Sequence, residues 1–183
     1  GVAQLSAVYN LWGTVKFEIY DQTTPEQKGN STDIYFSPNS ITAKAEIPQD
    51  GRDFFYTGEV FKVTLSVLDA QAAPVPNFQG NANIHVEPAF EGLENSYLFT
   101  LQDQGVKVFA LSTQTPGDYV FSFDTSDGLS AQTEPVKVKQ ATIQVVSTVA
   151  PIGKTQVEIQ LLDDAGKRIK TSGVLPLTIL FDE

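Results

Sequence analysis

Apolar and polar side chains alternate with period two along most of this chain, and that spacing constrains the fold more than any other feature of it. In "EVFKVTLSVLD" Phe61, Val63, Leu65 and Val67 fall on one side of an extended backbone, and Lys62, Thr64 and Ser66 on the other. That is the pattern of a strand with one buried and one wet face. "TVKFEIYD" sets Val15, Phe17 and Ile19 on a common face, "DYVFSFD" does so with Tyr119, Phe121 and Phe123, and "TQVEIQLLD" with Val157, Ile159 and Leu161. Shorter strands are predicted at 34–36, 41–47, 84–86, 136–138 and 177–181. β-Branched and aromatic residues fill the runs, while "TPGD", "TSDG", "PQDG", "DDAG" and "APIG" separate them with turn formers. No helix of useful length is expected, so the chain is predicted to be all-β.

Three strands carry a related frame of Gly, alternating strand and terminal Asp: "WGTVKFEIYD", "TGEVFKVTLSVLD" and "IGKTQVEIQLLDD". Asp69 and Asp163 are 94 positions apart, the length of one sandwich domain, whereas Asp21 and Asp69 are 48 apart. From Phe54 to Lys139 the chain resembles a bacterial immunoglobulin-like (Big-type) repeat of the kind strung in tandem along surface adhesins and other exported proteins. Three pieces carry that resemblance: "TGEVFKVTLSVLDAQAAPVPNFQGNANIHV", "YLFTLQDQGVKVFAL" and "TPGDYVFSFDTSDGLSAQTEPVKVK". "QATIQVVSTVAPIGKTQVEIQLLDDAGKRI" resembles the opening of another such repeat.

With 183 residues the chain suits two immunoglobulin-like β-sandwich domains. Residues 51–139 are expected to form a complete one. Residues 1–50 and 140–183 each have too few strands for two facing sheets, so they are expected to pair across the middle as a discontinuous sandwich. The alternative is that they are two partial immunoglobulin-like domains on either side of it.

Composition narrows the functions. Twelve basic against 22 acidic residues give a net charge of −10, which repels a phosphate backbone and makes nucleic acid a poor partner. No window is long and apolar enough for a membrane-spanning helix, and the opening "GVAQLSAVYNLWG" lacks the basic start of a secretory signal. The absence of Cys removes disulfides and thiolate metal sites.

Reactive groups are sparse. His85, the single histidine, alternates with Ile84 and Val86 and so faces solvent, where it serves no triad. Glu87, Glu91 and Glu94 sit in "HVEPAFEGLENS", a loop in which acidic residues keep the backbone solvated; a glycosidase pair would need two of them held around a sugar. No nucleophile elbow, P-loop or dinucleotide fingerprint occurs, and the chain is not expected to be an enzyme. Calcium is the metal its loops would suit, through Asp124 and Asp127 in "FDTSDG" and Asp163 and Asp164 in "LLDDAG". The same residues are also good turn formers. Trp12, with Tyr9 near it, and the run Phe54, Phe55, Tyr56 are candidates for a binding surface, competing with packing at a domain junction. Asn30 opens an acceptor motif for N-glycosylation, "NST".

The expected function is that of a non-catalytic fragment of an extracellular or cell-surface protein, its domains serving adhesion or acting as a stalk that presents a binding region to a protein or glycan ligand. The alternatives are a carbohydrate-binding accessory module of an exported enzyme and a structural pilus or surface-layer subunit.

Overall fold

The structure, a computed structural model, describes residues 2, 4, 6–49, 51–146, 158–163, 166 and 168. In chain order the strands are β1 (Gly13–Val15), β2 (Glu18–Tyr20), β3 (Lys28–Asn30), β4 (Ile34–Phe36), β5 (Ser40–Ala45), β6 (Phe55–Tyr56), β7 (Phe61–Leu68), β8 (Asn81–Glu87), β9 (Ser96–Leu98), β10 (Val106–Leu111), β11 (Gly117–Thr125), β12 (Ser130–Gln132), β13 (Val136–Lys139), β14 (Thr142–Val146) and β15 (Glu158–Leu162). No helix occurs among the described residues, and the fold is all-β.

Two strands carry the alternation furthest, and each becomes the middle of a sheet. On β7 Phe61, Val63, Leu65 and Val67 are buried while Lys62 is exposed. On β11 Tyr119, Phe121 and Phe123 are at most 1 % exposed. β7 pairs antiparallel with β5 on one side and β10 on the other. β11 pairs antiparallel with β8 and β13, and with β12 beyond its midpoint; β9 adds to β8 and β6 to β13. The apolar faces of the two sheets meet in one core. Phe61 packs edge-on against Phe121 with ring centroids 6.0 Å apart, and Phe109 stacks on Phe123 at 5.9 Å.

Two details make this sandwich immunoglobulin-like. The first strand is divided between the sheets: β5 lies antiparallel to β7, and after a crossing loop β6 lies parallel to β13, the last strand of the opposite sheet. At the start of β11 the buried Tyr119 hydroxyl donates to the backbone carbonyl of Thr115 at 2.9 Å, the tyrosine corner found in such domains. Two residues further on, where antibody domains place a disulfide cysteine, this chain has Phe121.

One boundary differs from the sequence reading. Residues 51–139 do not complete the sandwich alone, because β5 is laddered to β7 from Ser40 to Ala45 and Ile41 belongs to the core. The sandwich runs from Ser40 to Lys139. On the core face of "SITAKA" Ile41 is followed only by the small Ala43 and Ala45, a weak apolar signal that hides the membership of β5.

The flanking strands pair locally. β1 pairs with β4 and β2 with β3, making one bent hairpin over residues 13–36, and β14 pairs with β15. Val157 and the strand expected at 177–181 lie outside the described residues. The chain reaches the sandwich at one pole, where Ser40 faces Leu68, and leaves it at the other, where Lys139 lies beside Tyr56. We call these the proximal and distal poles. The nine residues of β11 separate them by about 30 Å at ~3.3 Å per residue.

Because Phe121 is fully buried, Phe121→Ala is expected to lower stability by about 3–5 kcal/mol. Ser122→Ala, on the outer face, should stay within about 0.5 kcal/mol. Urea unfolding of the two variants checks the strand phase, which equal losses would refute.

Candidate functional site

The densest set of long-range side-chain contacts among polar groups lies at the proximal pole. The turn after β11 is closed by the Gly128 amide donating to the Thr125 carbonyl at 3.0 Å, and Gly128 sits at φ 79°, a conformation glycine adopts without strain. That turn holds out Asp127. The loop between β7 and β8 brings Asn77 and Phe78 to the same pole. Trp12, just before β1, lands between them.

Asn77 binds the backbone of Trp12 as a neighbouring strand would: its side-chain oxygen accepts from the Trp12 amide at 2.8 Å, and its Nδ2 donates to the Trp12 carbonyl at 2.7 Å. The indole N–H donates both to the Tyr35 hydroxyl (2.8 Å) and to Asp127 Oδ2 (3.0 Å), while the Tyr35 hydroxyl donates to Asp127 Oδ1 at 2.8 Å. Below, the indole packs edge-on against Phe78 at 5.4 Å, and Phe78 against Phe99 at 5.2 Å. Desolvation at the contact, together with the hydrogen bond to Asp127, raises the pKa of the Tyr35 hydroxyl. Tyr35 therefore keeps its proton and remains the donor to a carboxylate. An open recess of ≈ 360 Å³ lies beside Trp12, between Val8 and Tyr9 on one side and Pro38 and Gln71 on the other. The arrangement is that of a binding contact; its groups hold the 13–36 hairpin onto the sandwich and are occupied in doing so.

The sequence candidates distribute as follows. Trp12 and Asp127, proposed for separate roles, meet in this one contact. Asp124 is exposed on the outer face of β11, in register with Asn83 and Ser130. Asp163 follows β15, and its carbonyl accepts from the Gly166 amide at 2.8 Å; Asp164 lies outside the described residues. Among the described residues no three acidic or histidine side chains are grouped to hold a metal ion. His85, Glu87, Glu91 and Glu94 are all exposed. Asn30 is exposed on β3.

Of the run Phe54, Phe55, Tyr56, read either as a binding surface or as packing, two members are buried and Phe54 is half-buried. Phe55 enters the core and Tyr56 is buried. The Arg52 guanidinium lies 4.8 Å over the Tyr56 ring and grips Glu59 with two hydrogen bonds of 2.9 and 3.0 Å, and the Lys139 ammonium sits 4.5 Å over Phe54. These cation–π contacts hold the crossing loop against the distal pole. Two residues of the proximal contact, Tyr35 and Asn77, are not among the sequence candidates. Nothing local marks them, since "DIYF" and "PVPNFQ" are ordinary strand and loop.

No family model matches the chain, and no curated protein matches it. Among solved structures it is similar to the CARDB domain of a Pyrococcus furiosus protein, known from a solution NMR structure, with 11% identity, 56% of this chain and 97% of that chain covered, and a TM-score of 0.32. The immunoglobulin-like assignment rests on the divided first strand and on Tyr119.

Trp12 is the single tryptophan, so its fluorescence reads this contact alone. Asp127→Ala removes the shared acceptor and should weaken docking by about 1–3 kcal/mol, shifting Trp12 emission to the red while the far-UV circular dichroism of the sandwich is unchanged. An unshifted spectrum would show that the carboxylate does not hold the indole. Since both Asp127 oxygens already accept hydrogen bonds, calcium is expected to move the melting temperature no further than sodium chloride of equal ionic strength; a saturable rise, lost in Asp127→Ala, would instead assign ion binding there.

Proposed function

We propose that this chain is a non-catalytic segment of an extracellular or cell-surface protein, in which immunoglobulin-like sandwiches act as a stalk or adhesive arm presenting a binding region to a protein or glycan ligand. The observation that carries this reading is the placement of the two ends of the central sandwich: the chain arrives at Ser40 on the proximal pole and departs from Lys139 on the distal pole. A module threaded from pole to pole extends an arm by its full length; one with adjacent termini would hang from it as a side branch. The docked Trp12 supports the same reading, since a side chain shared between units stiffens the joint that transmits load. The acidic surface, with its net charge of −10, favours solubility over self-association.

Pulled from its ends in a force experiment, the 40–139 sandwich should open as one unit and release about 30 nm of chain at ~3.5 Å per residue. Release in several small steps at negligible force would count against a stalk. Retention of the chain on insoluble polysaccharide would favour a carbohydrate-binding module.

A further inference from the structure

The flanking strand pairs reproduce, pair for pair, two sets of paired strands in the central sandwich. In the central sandwich the closing hairpin joins β11 to β12 and β13. Its tip pairs Ser122 with Gln132 and Asp124 with Ser130, and its base pairs Gly117 with Val138 and Tyr119 with Val136. Between tip and base the register slips by one residue, and Thr133 fills the slip: its amide donates to the Phe121 carbonyl at 2.9 Å and its hydroxyl accepts from the Phe121 amide at 3.2 Å.

The 13–36 hairpin does the same. Its tip pairs Glu18 with Asn30 and Tyr20 with Lys28, its base pairs Gly13 with Phe36 and Val15 with Ile34, and again the register slips by one. Ser31 fills that slip. Its amide donates to the Phe17 carbonyl at 2.8 Å and its hydroxyl accepts from the Phe17 amide at 2.9 Å. Phe17 thus stands where Phe121 stands, and Ser31 where Thr133 stands.

On the other side, β14 and β15 repeat β5 and β7. Thr142 faces Leu162 as Ser40 faces Leu68, and the ladder continues in step to Val146 facing Glu158, as Lys44 faces Thr64. Beyond each second strand the same turn follows. Leu68 bridges to Pro74 and Leu162 to Arg168, six residues on in both cases. Inside those turns the Ala72 amide donates to the Asp69 carbonyl and the Gly166 amide to the Asp163 carbonyl. Equivalent positions advance by 104 along the first strand of the closing hairpin (Gly13 to Gly117, Phe17 to Phe121), by 102 from its second strand into β5 (Ser31 to Thr133, Phe36 to Val138, Ser40 to Thr142) and by 94 along β7 (Leu68 to Leu162).

We infer that residues 13–36 are the closing hairpin of one sandwich and β14 and β15 the opening strand pair of another, both on the plan of residues 40–139, so that the Trp12–Asp127 contact is the interface between successive modules of an array. The polarity agrees. The base of a closing hairpin lies at the distal pole of its own module, and it is the base of the 13–36 hairpin, with Trp12 preceding Gly13 and Tyr35 beside Phe36, that meets Asn77 and Asp127 at the proximal pole of the next. The partner that fits the proximal pole is therefore the distal pole of a like module. At the distal pole of the central sandwich the position of Tyr35 is taken by Lys137 and that of Trp12 by Pro116, so successive joints share geometry while differing in side chains.

The register equivalence stands apart from the stalk reading, and a distance separates it from the discontinuous sandwich. The chain has no Cys, so Glu18→Cys and Gln144→Cys, both at exposed positions, can be spin-labelled in the whole protein without interference. In an array the sandwich length and the rise from Gly13 to Glu18 both lie between the labels, placing them about 45 Å apart or more. If residues 13–36 shared one sandwich with β14 and β15, the labels would lie within about 30 Å. A pair distribution centred above ~30 Å supports the array and one centred below it overturns the inference, whatever the chain binds. Thr32→Cys, also exposed, with Gln144→Cys repeats the measurement should the Glu18 label disturb its hairpin, with the same two outcomes.

Discussion

The aromatic seam between β7 and β11 is the constraint on which the remaining structure depends. Immunoglobulin-like sandwiches of the antibody type fasten these two central strands with a disulfide, a cross-link worth about 2–4 kcal/mol. This chain has no cysteine. Phe61, Tyr119, Phe121 and Phe123, each at most 2 % exposed, replace the cross-link by burial at about 1.5–3 kcal/mol for each large side chain. Four such residues outweigh a single disulfide, but only while the sheets stay dry and in phase. A slip of one residue in β7 would turn Phe61 to water, and one in β11 would turn Tyr119, Phe121 and Phe123.

Secondary features follow from keeping that seam in register. The tyrosine corner ties the start of β11 to the segment before it, and the Thr133 hydroxyl absorbs the one-residue slip between β12 and β13 without leaving the Phe121 amide unsatisfied. Gly105, at φ 77°, lets the turn before β10 run against the Val75 backbone, where an added Cβ would come within 2.6 Å of a carbonyl oxygen. Arg52, clamped on Glu59 and lying over Tyr56, fixes the loop that carries the first strand from one sheet to the other. Each device is local, and each serves the long-range contact.

The same physics extends through the proximal pole. Phe78 is fully buried with Trp12 packed edge-on against it, so the 13–36 hairpin closes an apolar site of the sandwich. Its polar groups form one connected set: the backbone of Trp12 meets the side-chain amide of Asn77, the indole and phenol meet the two oxygens of Asp127, and the indole N–H also reaches the Tyr35 hydroxyl. A contact held by several hydrogen bonds at once resists bending as well as separation, because rotation breaks them together.

The sequence by itself determined the strands and their faces. Period-two alternation reports burial directly, and the phases of β7 and β11 were legible residue by residue from Phe61 and Phe121 outward; "TSDG" likewise specified its own turn through local backbone chemistry. What only the tertiary structure decided is which strands share a sheet and which loops share a pole. Ser40–Ala45 reads as weakly alternating and groups in sequence with the first fifty residues, yet it pairs with β7. Trp12 and Asp127 lie 115 positions apart, and Ser31 and Thr133 occupy equivalent slips in hairpins with few residues in common. Pairing and register are fixed by backbone hydrogen bonds and by the shape of a common core. Neither leaves a signature in a short window of sequence, since many different side chains satisfy the same ladder.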